Sequence, residues 1–149
     1  MAKRFIILKI DNVSVPVGGM GTATLGMSTV EVPQNAPFLE AAYQLLGCEM
    51  VDVLPVLING KKVDVWFDQD FLAKGTMPMQ TSLVFTNIGG NEVPIFGKVL
   101  LAGTDDEGGT LSVGVSSDEI RHAIAAHQIR VGHMEKVVKP DGQLGILIS

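Results

Sequence analysis

A chain of 149 residues with a net charge of −5 and a pI near 5.0 is long enough for one core that buries about two thirds of the unfolded surface. Its basic residues gather no further than Lys3-Arg4 and Lys61-Lys62, so it lacks the electrostatic footprint of a nucleic-acid binder, and 16 carboxylates in 149 residues are too sparse to imitate a duplex. No apolar run approaches the roughly 20 residues of a spanning helix, and the lone Cys48 can form neither an internal disulfide nor a CxxC pair.

The expectation is therefore a cytoplasmic protein of one domain, residues 1–149, without a membrane segment or a nucleic-acid partner. Met1-Ala2-Lys3-Arg4 is followed by an apolar run that Asp11 ends too soon for an export signal.

Residues 5–10 read as a strand and residues 13–17 alternate with period two, with Asp11-Asn12 as the turn between them. The stretch 18–26 holds four glycines in nine residues and reads as a loop; residues 28–32 alternate again as a third strand. Asn35-Ala36-Pro37 opens a helix, with Asn35 as N-cap and Leu39, Ala42, Tyr43 and Leu46 on one face. Gly47 closes it as a left-handed residue.

Residues 50–58 form a strand that Pro55 assigns to an edge or a bulge. Asn59-Gly60 supplies the two positive-φ positions of a type I′ hairpin, so residues 62–67 return with Val63, Val65 and Phe67 on one face. Lys62, Asp64 and Trp66 lie on the other, which reads as a polar face carrying an exposed tryptophan.

Residues 80–88 are ambiguous: their β-branched positions favour a strand, while Gln80-Thr81-Ser82 after Pro78 fit the start of a short helix, and the reading leans to the helix. Residues 93–102 and 110–115 form the next hairpin around the acidic loop 103–109. Ser116 and Glu119 fit a capping box, and Ile120, Ala123, Ile124 and His127 make the apolar stripe of a second helix reaching to about Gln128. Residues 129–138 and 143–148 then pair around Lys139-Pro140-Asp141-Gly142. The fold class is α+β, mostly antiparallel strands in hairpins with two principal helices.

Several motifs fail on inspection. Residues 21–28 have phosphate-loop spacing, but Met27 stands where the lysine must be, and a strand follows instead of a helix. Gly19-Met20-Gly21 begins a dinucleotide fingerprint whose third glycine is Thr24. His122 and His127 lie about 140° apart around a helix and cannot chelate one ion, so no metal is assigned. Asp105-Asp106-Glu107 lacks the alternating calcium pattern.

Cys48 follows a helix C-terminus, whose dipole raises a thiol pKa. Asp64, Asp68 and Asp70 would align if their strand ran on, yet nothing separates their acid and base roles. No catalytic residue and no cofactor is assigned; a hydrolase would need Asp64 or Asp68 to meet His122 or His133. The ligand or interface candidates are Gly19, Met20, Gly21 and Met27 of the glycine-rich segment, whose methionines are adaptable contacts, with Trp66 and Phe71.

The run 39–47 (LEAAYQLLG), the run 50–56 (MVDVLPV), a hairpin, and the run 95–103 (IFGKVLLAG) resemble a small domain of unknown function found in phage and mobile-element proteins. The likeness covers the middle half of the chain. It implies the α+β order and a phage or accessory-genome origin, and it assigns no active residues; the N-terminal hairpin and the C-terminal helix and hairpin depart from it. Function is expected to be non-enzymatic binding or assembly, with self-association through unpaired strand edges. The alternatives are a scavenger of a small anionic, nucleotide-like ligand and a small His/Asp hydrolase.

Overall fold

The computed structural model describes residues 2–14, 22–70, 79–95, 97–104, 109–138, 140–142 and 144–148. The elements run β1 (Ala2–Ser14), β2 (Thr22–Pro33), α1 (Phe38–Leu46), β3 (Val51–Ile58), β4 (Lys61–Asp68), β5 (Met79–Thr86), β6 (Glu92–Ile95), β7 (Val99–Thr104), β8 (Thr110–Leu111), α2 (Ser117–Ala125), β9 (Ile129–Val138) and β10 (Leu144–Ile148). Every strand pairing among them is antiparallel, which bears out the α+β reading.

Two sheets form. The larger has the order β2-β1-β7-β4-β3, with β8 on β7, and the smaller the order β10-β9-β5-β6. They pack face to face over a core that includes Ile6, Val65, Leu101, Leu83, Phe85 and Ile129, together with Ile120 and Ala123 of α2. A second cluster lies on the opposite face of the larger sheet, where Phe5, Ile7, Leu100 and Ala102 meet Ala42 and Leu46 of α1.

Local signals account for much of this. Asn59 and Gly60 have φ of 53° and 75°, and β3 and β4 pair in register on either side of them. Gly47 ends α1 in the left-handed conformation, and Ser116 and Glu119 complete the capping box of α2. Pro55 lies in β3, an outer strand of the larger sheet, where the missing N–H is tolerated.

Other expectations are corrected. Asp11-Asn12 is no turn: β1 continues through it with a register shift between Ile10 and Asn12, since a bulge absorbs an extra residue without ending the pairing. The first hairpin is thus β1 with β2, whose strand already holds residues 22–26 of the expected loop, while residues 15–17 lie outside the described residues.

The expected helix at 80–88 is strand β5. Seven of its residue positions pair with β9, four with β6, and these ladders on both sides override a weak local helix signal. The single strand expected at 93–102 is two strands in different sheets, and Gly97 at φ 98° marks the bend.

Only residues 110–111 of the expected strand 110–115 pair with β7. The chain then crosses to β1, where Val113 N–H donates to the Arg4 carbonyl at 2.9 Å. Asn35 does not cap α1; Pro37 occupies that position without a side-chain bond. Leu39 is 48% exposed, and Phe38 turns inward in its place. Helix α2 stops at Ala125, short of Gln128, because His127 adopts φ 61°; its ring is exposed, outside the apolar stripe.

Candidate functional site

Leu8 sits opposite Met27, and Ile10 opposite Leu25, in the β1–β2 ladder. Direct antiparallel partners share a face, and here it is the face turned toward the inter-sheet core. Strand β7 pairs with β1 only at Ile6, Ile7 and Leu8. Beyond Leu8 the hairpin continues without that neighbour, so Leu8 is fully buried while Leu25 and Met27 are only partly covered.

Helix α2 brings Ile124 and Arg121 to the same place. The result is a groove of about 460 Å³ lined by Leu8, Leu25, Met27, Ile124 and Arg121, within the roughly 300–1,000 Å³ typical of ligand pockets. Its floor is apolar. Arg121 is well exposed, its guanidinium 2.8 Å from the Asp118 carboxylate three residues earlier, an exchangeable surface pair of small energetic weight. Such a lining suits a small molecule with an apolar body and one anionic group.

A larger cavity of about 580 Å³ lies at the C-terminal end of α1, lined by Tyr43, Gln44, Gly47, Cys48, Glu49 and Asp70. Two carboxylates and the negative end of a helix dipole make it hostile to anions. Among the described residues no group of three His, Cys, Asp or Glu side chains is placed to hold a metal ion.

The tryptophan is not on a solvent face. Trp66 lies beneath α1, its ring 5.0 Å from Phe38, which in turn stands 5.3 Å from Phe5 in an edge-on contact. Its indole N–H is buried with no hydrogen-bond partner among the described residues, an unfavourable arrangement tolerated inside an aromatic cluster. The alternation Lys62, Asp64, Trp66 suggested a polar face because two of the three are charged. Lys62 stays exposed, but at Trp66 that face is covered by the helix between β2 and β3.

Asp64 shares it. Only 8% exposed, it accepts a hydrogen bond from the Thr104 hydroxyl, and burial pushes its carboxyl pKa up while Lys62 pulls it down less strongly. Asp68 accepts from the Asp70 N–H at 2.9 Å, closing a turn. His122 belongs to α2, which packs on the other side of the larger sheet through Ile120 and Ala123, so the sheet stands between Asp64 and His122. The His133 side chain lies outside the described residues.

A polar cluster joins the β3–β4 turn to α2. The Asn59 amide donates to Glu119 at 3.0 Å, Lys61 Nζ lies 3.2 Å from the same carboxylate, and the Asn59 backbone N–H donates to Gln128 at 3.1 Å. The bonds from the Asn59 amide, Lys61 and the Ser116 backbone N–H hold the Glu119 pKa below the ordinary carboxylate value, the Asn59 bond contributing most.

Of the six ligand or interface candidates, Met27 lines the groove and Trp66 is on the opposite face of the sheet. Gly19, Met20, Gly21 and Phe71 lie outside the described residues. Leu8, Leu25, Ile124 and Arg121 went unrecognised in sequence. Ile124 belongs to the helical stripe of the second helix, but Leu25 falls in the expected loop and nothing local joins residue 25 to residue 124.

Residues 26–125 match a domain of unknown function, DUF3846. No curated protein and no solved structure matches the chain. The matched span runs from the middle of β2 to the end of α2, taking in Met27, Arg121 and Ile124 but neither β1 nor the β9–β10 hairpin.

Proposed function

The chain belongs to the DUF3846 family, which lends it no activity, and we propose from its own geometry that it is a non-enzymatic binding or assembly protein acting as a homo-oligomer. The observation that carries the binding part of this reading is the groove beside α2, where Leu25, Met27 and Ile124 remain half-covered next to the Arg121 guanidinium; self-association is inferred from the outer strand edges of the two sheets. Apolar side chains left partly uncovered at a concave site favour an occupant. The occupant suggested by the lining is small, with an apolar body and an anionic group, in keeping with a scavenger of nucleotide-like molecules. Separation of Asp64 from His122 by a sheet speaks against the hydrolase alternative, because a general base must lie within hydrogen-bond reach of the proton it takes or one water away. A cytoplasmic protein of phage or accessory-genome type is the setting we favour, on the resemblance noted in the sequence and the single cysteine.

Native mass spectrometry of freshly purified protein, with a thermal-shift panel of nucleotides and small aromatic carboxylates, tests the ligand. The expected result is a bound mass or a stabilised transition that Arg121→Glu removes. An apo mass with no shift across the panel overturns the groove as a ligand site.

A further inference from the structure

Strand β2 is one of the two outer strands of the larger sheet and extends over 12 residues. Among the described residues it pairs with β1 alone, so its far side presents a row of backbone donors and acceptors. Proteins blunt such edges with lysine, proline, bulges or brevity, and the other outer strands here use these devices. Strand β3 contains Pro55, and its Val56 forms a bridge with Asn87. Strand β6 has 4 residues including Pro94, and β10 has 5. Strand β2 has no lysine, a single charge at Glu31, and a proline only at its last residue, Pro33.

We infer that two copies of this chain pair antiparallel through the free edges of β2, joining their larger sheets across a two-fold axis. The inference rests on the homo-oligomer reading above and names its surface. A two-fold axis normal to the sheet preserves both faces, so each residue must meet one of the same parity. With the axis at Met27, that residue meets its own counterpart, Leu25 meets Thr29, and Glu31 meets Ala23.

No like charges then face each other directly. The paired segment is 22–32, which leaves Pro33, with no N–H to give, outside the ladder. Leu25 and Met27, half-covered in the single chain, gain neighbours across the axis. A second copy suits this edge better than an unrelated peptide because the strand is complementary to itself in that register.

The test is native mass spectrometry across a dilution series of the full chain, Ser28→Glu, and Leu57→Glu on the sheltered β3 edge as a control. Ser28 is exposed, and in the proposed register glutamates at this position would lie diagonally opposite each other on one face. The expected result is a wild-type dimer, a dissociation constant raised at least tenfold by Ser28→Glu, and no change with Leu57→Glu. If Ser28→Glu does not fold, Met27→Cys decides: oxidation should give a disulfide-linked dimer across the axis, the buried Cys48 remaining reduced. A wild-type dimer that Ser28→Glu leaves intact, or with that variant unfolded a Met27→Cys chain that does not cross-link, overturns the edge while sparing self-association. A wild-type monomer at high concentration overturns both.

Discussion

The two outer strands of the larger sheet, β3 and β2, offer the same backbone chemistry to their surroundings but differ in how the rest of the chain treats them. Strand β3 carries Pro55, is bridged through Val56 to Asn87, and ends in a turn held by Glu119 of α2 and by Gln128 just beyond that helix. Strand β2 is longer, nearly free of charge, and supported from one side. The first edge is closed by contacts distant in sequence, each worth little alone. Among the described residues the second pairs on one side only, and the groove lies beside it because β7 does not follow β1 past Leu8.

Perturbing the fastened side sharpens the contrast. Gly60→Val should have the largest effect: a Cβ there meets nothing within 4 Å, so its cost is conformational, about 1–2 kcal/mol for an L-residue held at positive φ and greater for a β-branched one. Urea denaturation would show it as a lower midpoint with an unchanged slope. Ser116→Ala removes the hydroxyl that accepts from the Glu119 N–H at 3.2 Å and should cost about 1 kcal/mol. It should also loosen the Asn59–Glu119 contact, visible as faster amide exchange at the β3–β4 turn and not in β2.

Smaller effects appear with pH, and two carboxylates should respond in opposite directions. Glu119 is lowered from its ordinary value of 4.5, so its stabilisation is fully present above that value and is lost as pH falls through its folded pKa. Glu119→Gln should therefore destabilise at pH 7 and lose its effect in acid. Asp64 is raised from 3.8 by burial, so the folded state binds its proton more tightly, and stability falls as pH rises from 3.8 through the raised value. Asp64→Asn should be the more stable protein at pH 7 and match the parent in acid. Paired thermal melts at pH 3 and pH 7 check both signs.

What could be read from the sequence follows the range of each signal. Asn59-Gly60, the Ser116 capping box, Gly47 and the C-terminal hairpin are written in residues within a turn of one another, and they emerge as expected. Trp66 was misplaced because its surroundings depend on β7 entering between β1 and β4 and on α1 lying across them, neither of which leaves a mark near residue 66. The same holds for Ser82, a polar residue fully buried opposite Gly132 in the centre of the smaller sheet, whose chemistry suggested a helix start. In the groove Met27 is legible as an adaptable contact residue, while its partners from β1 and α2 require the tertiary fold.

Concentration-dependent hydrogen exchange tests the contrast between the edges most directly, with β3 as internal reference. The expected result is that alternate amides of β2, those pointing away from β1, slow markedly as protein concentration rises through the dimerisation range, while β3 is unchanged. Equal exchange of the β2 amides at concentrations where the protein is monomeric and where it is dimeric would contradict it.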